Sequence, residues 1–360
     1  MKEVIADAVS RGWPPTAPAG HHVAPRFNHI DRPYGSYQRQ AESLFEKPAR
    51  RLSRLQQARL DDRQREAVVE ELRDVMVRAV YGSNTIQGAG LSWHATDVLC
   101  RKVFADTDDT SRIITESDEA FQDVIVEMRR LQPSLIIRPV DVALRARNDI
   151  VQHARAYQHI LREFVVNKRD LTEGLIKDTH RILNRGASVR DKGWDYLPQG
   201  AYGGAYRTAI LAASNIHMPL AACVPDRMQQ LCLAVRVDVA MAEQGKSGDP
   251  FSMAAKHSLR LAHIQPFYHD NMRLSRIILN AILCRFAGVM LPLGEDERAQ
   301  REYLDAKSRS SHDSMDHGDY AMFVLKHAAQ SLREMKKKIA GKGKANTGGE
   351  VVVKAYSVSQ

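Results

Sequence analysis

The sequence predicts a mainly helical domain with one small β-hairpin, and three observations predict it. Helix-forming Ala, Leu, Arg, Glu and Met dominate long stretches. Apolar residues recur at three- and four-residue spacing through most of the chain. One Gly- and Tyr-rich section, Gly186 to Pro225, breaks that period and is the place where a short hairpin fits. Hydrophobic residues make up 44 % of the 360 residues, which supports a sizeable core and excludes wholesale disorder.

In chain order, residues 1 to 35 are rich in Pro, Gly and His, show no sustained period and predict an extended arm. Helical signals begin at Tyr37, and Pro48 is expected to break or begin a segment. Val68, Leu72, Val75, Met76 and Ala79 form one apolar stripe on a helix. A polar stretch, Asp106 to Arg112, precedes a helix from Glu116 to Leu131. Pro139 opens a long helix whose buried side carries Val140, Leu144, Ile150, Val151, Tyr157, Ile160 and Leu161. Leu171 to Asn184 is helical, with Thr172 near its start and Gly186 beyond its end. After the irregular section, helices are expected at Met228–Glu243, Ala254–Ile264, Leu274–Phe286, Glu295–Ser308 and Asp319–Lys338. This divides the chain into an arm with a first helical segment (1–60), a main domain (61–336) and a flexible basic tail (337–360).

Composition narrows the partners. No run approaches the ~18 apolar residues of a membrane span, and the N-terminus lacks the apolar core of a secretory signal. Cys100, Cys223, Cys232 and Cys284 are scattered without metal-ligand spacing, so reduced thiols in a cytoplasmic protein are expected. The formal charge of +9 fits a solvated basic exterior with a lysine-rich tail. Nucleic acid is a weaker expectation, because the basic residues are not interleaved with aromatics.

The chemistry concentrates in His263-Ile-Gln-Pro-Phe-Tyr-His-Asp-Asn-Met-Arg-Leu-Ser-Arg276, which reads as a helix, a polar loop and a second helix. Arg273 and Arg276 are three apart in the second helix's first turn and share a face. With the backbone N–H groups of that helix start they make an anion site suited to phosphate. The alternative is that both arginines pair with carboxylates.

This segment resembles the Fic family signature, H-P-F-x-[D/E]-G-N-G-R-x-x-R, through Pro266, Phe267, Asn271, Arg273 and Arg276. Thr179-His180 resembles the family's helix before the flap, and Gly204-Ala-Tyr-Arg207-Thr208 resembles its G-x-[YW]-R turn. Residues 202–225 resemble the flap, and Ser83-Asn-Thr-Ile-Gln87-Gly88, within 68–90, resembles the inhibitory motif [S/T]-x-x-x-E-[G/N]. The resemblance implies a Fic-type helical bundle with a small β-hairpin flap. It also implies transfer of a nucleoside monophosphate, usually AMP from ATP, onto a protein hydroxyl. In that scheme a His is the general base, an acidic residue holds Mg²⁺, a Gly-Asn-Gly turn cradles phosphates and the last arginine binds the terminal phosphate. The flap presents a strand edge to the target protein, and the inhibitory Glu pairs with the last arginine.

Three departures fall on those working positions. Gln265 stands where the base belongs, and a carboxamide has no useful basicity near neutral pH. His269 stands where the metal carboxylate belongs, although Mg²⁺ prefers oxygen ligands. Asp270 and Met272 replace the two glycines. Gln87 replaces the inhibitory Glu and leaves only a hydrogen bond for Arg276. The expectation is a Fic-fold protein with lost or strongly reduced AMP transfer that acts through ATP, another nucleotide or a partner protein. The alternative is an active protein nucleotidyl transferase with a displaced base, His269, and Asp270 holding a metal. The uncharged stretch Ile210 to His217 suits an open strand edge and equally a buried hairpin.

Overall fold

The structure, a computed structural model, describes residues 2–341 apart from 19, 30, 106–112, 115–116, 138, 187–188, 192–193, 198–202, 210–217, 247 and 311–316. Twelve α-helices lie among the described residues. They are α1 (Lys2–Arg11), α2 (Gln38–Gln57), α3 (Asp62–Ile86), α4 (Trp93–Phe104), α5 (Phe121–Leu131) and α6 (Val140–Ile160). The others are α7 (Glu173–Leu183), α8 (Val224–Glu243), α9 (Pro250–Ile264), α10 (Asn271–Ala287), α11 (Glu297–Arg309) and α12 (Gly318–Ile339). A π-helical segment, Leu161–Val166, continues α6.

Local chemistry sets several helix starts. Asp61 and Gln64 exchange side-chain and backbone hydrogen bonds in a capping box that opens α3. Thr172 accepts from the Leu175 amide at the start of α7. Asp249 accepts from the amides of Phe251 and Ser252 at the start of α9, with Pro250 in its first turn. Buried residues run through almost all of α10, as a helix enclosed on every side requires. It packs against α9, α6, the π segment and α3, while α12 covers α2, α9, α3 and α11.

The N-terminal arm differs from its expectation. Lys2–Arg11 is helical and lays Ile5, Ala8 and Val9 into the core against α3. Those three residues make a stripe too short to stand out beside the Pro- and Gly-rich sequence that follows. Beyond α1 the arm is bound to the bundle. The Trp13 indole donates to the Gly288 carbonyl, Arg26 bridges Gly248, and the Tyr34 hydroxyl donates to Asp249.

Pro48 neither breaks nor begins a segment but sits inside α2. Its ring extends the buried stripe Ala41, Phe45, Pro48, Leu52, and that burial offsets the roughly 3 kcal/mol cost of an interior proline. The helix expected from Glu116 starts at Phe121, after a turn in which Phe121 N–H donates to the Asp118 carbonyl. The irregular section contains a two-stranded antiparallel hairpin, β1 (Val189–Asp191) and β2 (Trp194–Leu197), pairing Val189 with Leu197 and Asp191 with Trp194. The flap stretch 210–217 and the tail 342–360 lie outside the described residues. All four cysteines are free, and no described helix is long and apolar enough to cross a membrane.

Candidate functional site

The loop between α9 and α10 holds two non-glycine residues in the left-handed region, Gln265 (φ 44°) and Asp270 (φ 56°), a conformation that costs roughly 1–2 kcal/mol apiece. What holds it is a set of bonds within the loop and to its neighbours. Asn271 closes the loop on itself, its carbonyl oxygen accepting from Phe267 N–H at 2.9 Å and its amide donating to the Phe267 carbonyl at 2.7 Å. Both ends of that side chain are therefore spent on loop shape. Phe267 is buried and stacks on His180 of α7, with ring centroids 3.8 Å apart.

His180 ties three segments together. Its Nδ1 accepts from Gly204 N–H and its Nε2 donates to the His269 carbonyl, both at 3.0 Å. Burial lowers its pKa to about 4, so the imidazole is neutral. Gly204 has φ 80°, and a Cβ there would lie 2.7 Å from the Lys177 carbonyl, so only glycine fits.

Arg207 is buried and spans the base of the flap. Its Nε donates to the Gln265 carbonyl (2.7 Å), Nη1 to the Ala209 carbonyl (3.1 Å) and Nη2 to the Pro219 carbonyl (2.7 Å). Thr208 is held against the Tyr268 hydroxyl through both its amide and its own hydroxyl. Gln265, Pro266 and Arg207 are thus one unit, since Arg207 N–H also donates to the Pro266 carbonyl.

The two arginines share a face of α10 but do not form an open anion site. Arg273 is buried and its Nη1 meets Asp149 of α6 at 3.1 Å and Asp270 at 3.2 Å. Arg276 is 1 % exposed. Its Nε donates to Ser83 Oγ (2.7 Å) and Nη2 to the Ser83 carbonyl (3.0 Å), and its guanidinium lies 5.7 Å from the Tyr303 ring. No carboxylate pairs with Arg276 among the described residues.

The inhibitory-like motif therefore reaches Arg276 through Ser83, not through Gln87. Gln87 is exposed at the C-cap of α3. Gly88 follows with φ 62°, donating to the Thr85 carbonyl while Ala89 donates to that of Asn84. That pair of bonds is a Schellman ending, which accounts for the glycine.

The residues that sequence reasoning missed, Asp149 and His153, lie on α6 beside Tyr157, which was expected only as a core residue. Asp149, His153 and Tyr157 follow one another at four-residue spacing and face α10: Asp149 pairs with Arg273, and the Tyr157 hydroxyl accepts from Asn280. His153 lies between those two rungs, bonded through Nδ1 to Asn84 Oδ1 at 3.0 Å. Their signal was polar residues inside an otherwise apolar helix face.

The Fic/DOC family model matches residues 170–283, which run from the start of α7 through most of α10. Residues 170–283 are a Fic/DOC domain. Solved structures agree over a longer span. A Fic domain containing signaling protein from Bacteroides thetaiotaomicron is similar with a TM-score of 0.57 and 16 % identity, over 85 % of this chain and 99 % of that one. Residues 134–508 of Fic-1 from C. elegans give 0.56 and 14 %, over 86 % and 74 %. A Fic family protein from Desulfovibrio desulfuricans gives 0.50 and 17 %, over 82 % and 74 %. No curated protein sequence matches the chain.

The donor set of this Fic domain does not suit Mg²⁺. His269 is an exposed imidazole whose carbonyl is engaged by His180, and Asp270 is committed to Arg273. Among the described residues no group of three His, Cys, Asp or Glu side chains is arranged around a cation position. The loop that would cradle phosphate carries Asp270 in a left-handed conformation and Met272, whose sulfur meets the Lys307 ammonium.

Proposed function

We propose that this Fic-fold protein has lost or strongly reduced AMP transfer and acts by binding, with a nucleotide phosphate at Arg276 and a partner protein at the flap anchored by Arg207 and Thr208. One observation carries the reading: the base position is Gln265, buried and fixed by its carbonyl to Arg207. Loss of a general base typically costs about 10²–10⁴-fold. His180 offers no substitute, because it is buried, neutral and bonded at both ring nitrogens. Arg276 supports the binding half of the reading. A guanidinium buried without a carboxylate is costly, and an anion would supply the missing charge.

The test uses ATP labelled at the α-phosphate with Mg²⁺ or Mn²⁺ and cell lysate, comparing wild type with Gln265→His. No label with wild type and label with Gln265→His is the expected pair of results. Label transferred by wild type would overturn the reading in favour of a displaced base, and His269→Ala would then identify it. Calorimetry supplies the second check: Arg276→Ala should abolish ATP binding, and undiminished affinity would remove the pocket.

A further inference from the structure

Between α3, α6 and α10 a ring of buried polar side chains closes around Arg276. Ser83 and Asn84 are consecutive on α3; the first holds Arg276 and the second holds His153. The rungs Asp149–Arg273 and Tyr157–Asn280 bracket His153 on one helix and Arg276 on the other, which sets the two at the same level. His153 is 0 % exposed and stacks in parallel on Tyr157, yet its Nε2 has no partner; nor has Nε of the buried Arg273 one turn away. Buried polar atoms are rarely left so, and each costs on the order of 1–3 kcal/mol.

Asn84 Nδ2 is likewise buried without a partner. These nitrogens differ in kind. Asn84 Nδ2 and Arg273 Nε are donors. His153 spends its Nδ1–H on Asn84 Oδ1, so its Nε2 is a bare acceptor. Burial and the nearby charges of Arg273 and Arg276 hold its pKa well below the ordinary value, which keeps the ring neutral. A ligand matching this wall brings negative charge for Arg276, an acceptor for Arg273 and one donor for His153. Sulfate has no donor near neutral pH. A phosphate group retaining one proton has both.

We propose that His153 is a specificity residue of the anion pocket, accepting a hydrogen bond from a protonated phosphate oxygen and so selecting phosphate over sulfate. The proposal rests on the reading of Arg276 as anion-binding. The phosphate belongs either to inorganic phosphate or to the end of a nucleoside triphosphate, and the chemistry at His153 is the same for both.

Calorimetry on the full chain at pH 7 with phosphate, sulfate and ATP tests it. Wild type should bind phosphate roughly tenfold or more tighter than sulfate, as one hydrogen bond gained or lost in a closed site predicts. His153→Asn keeps an N–H at the Nδ1 position for Asn84 and deletes the acceptor, so the ratio should fall to near one. His153→Gln returns a carbonyl oxygen near the Nε2 position and should restore part of it. Equal wild-type affinities for the two anions, or an unchanged ratio in His153→Asn, overturns the proposal. Displacement of phosphate by ATP identifies the nucleotide's terminal phosphate as the natural occupant, and indifference to ATP identifies the free ion. Phosphate affinity that survives Arg276→Ala removes the pocket reading itself, and absence of any anion binding removes both.

Discussion

Arg276 is a buried charge that no carboxylate meets among the described residues. With Gln87 exposed and Ser83 supplying both contacts, the energetic link between α3 and α10 runs through a hydroxyl and a backbone carbonyl. Ser83→Ala removes a hydrogen bond to a charged group and should cost about 1.5–3 kcal/mol of stability. Gln87→Ala should stay within about 0.5 kcal/mol, as exposed substitutions do. Urea unfolding of the two variants separates them, and an equal loss from both would contradict the geometry. The residues quoted from the signature were legible because they sit together in the sequence. Asp149 and His153 were not, because their role depends on α6 lying beside α10. Asp149 meets Arg273 across 124 positions, a pairing that no local pattern announces.

At the scale of the element, backbone conformation decides which substitutions the site tolerates. Gly88 has φ 62° and open space where a Cβ would stand, whereas a Cβ on Gly204 would meet the Lys177 carbonyl at 2.7 Å. Gly88→Ala should therefore cost roughly 1–2 kcal/mol from conformation alone, and Gly204→Ala should cost more, since α7 has to yield as well. Denaturant unfolding of both variants checks the order. Helices were legible where an apolar stripe ran for several turns, as in α3 and α6. The short stripe of α1 fell below that limit. Pro48 misled for a different reason: local propensity argued for a break, and burial of the proline face in α2 overrode it.

Across the whole molecule, burial of histidine sets the response to acid. His22, His153, His159, His180, His257, His263 and His327 all have lowered pKa values with burial as the first cause. The unfolded chain therefore takes up protons first as pH falls below about 6.5, and the native state loses stability from there downward. For His180 that loss continues to about pH 4, a span worth on the order of 3 kcal/mol. Asp249 acts in the opposite sense: burial raises its pKa to about 6, so it binds a proton in the native state first and offsets part of the loss. Urea unfolding should show stability about 2 kcal/mol or more lower at pH 5 than at pH 7. A flat profile would mean that these imidazoles are not held neutral in the fold.

The arm's attachments carry a consequence for synthesis. Trp13 reaches Gly288 across 275 positions, and Tyr34 reaches Asp249 across 215. Those two attachments cannot form until α9 and α10 have also emerged, although α1 can meet α3 well before. At ~5–20 residues per second that delay is on the order of tens of seconds. During it the Trp13 and Tyr34 segments lack these partners, a natural client for a holding chaperone and a late step in the maturation of the fold.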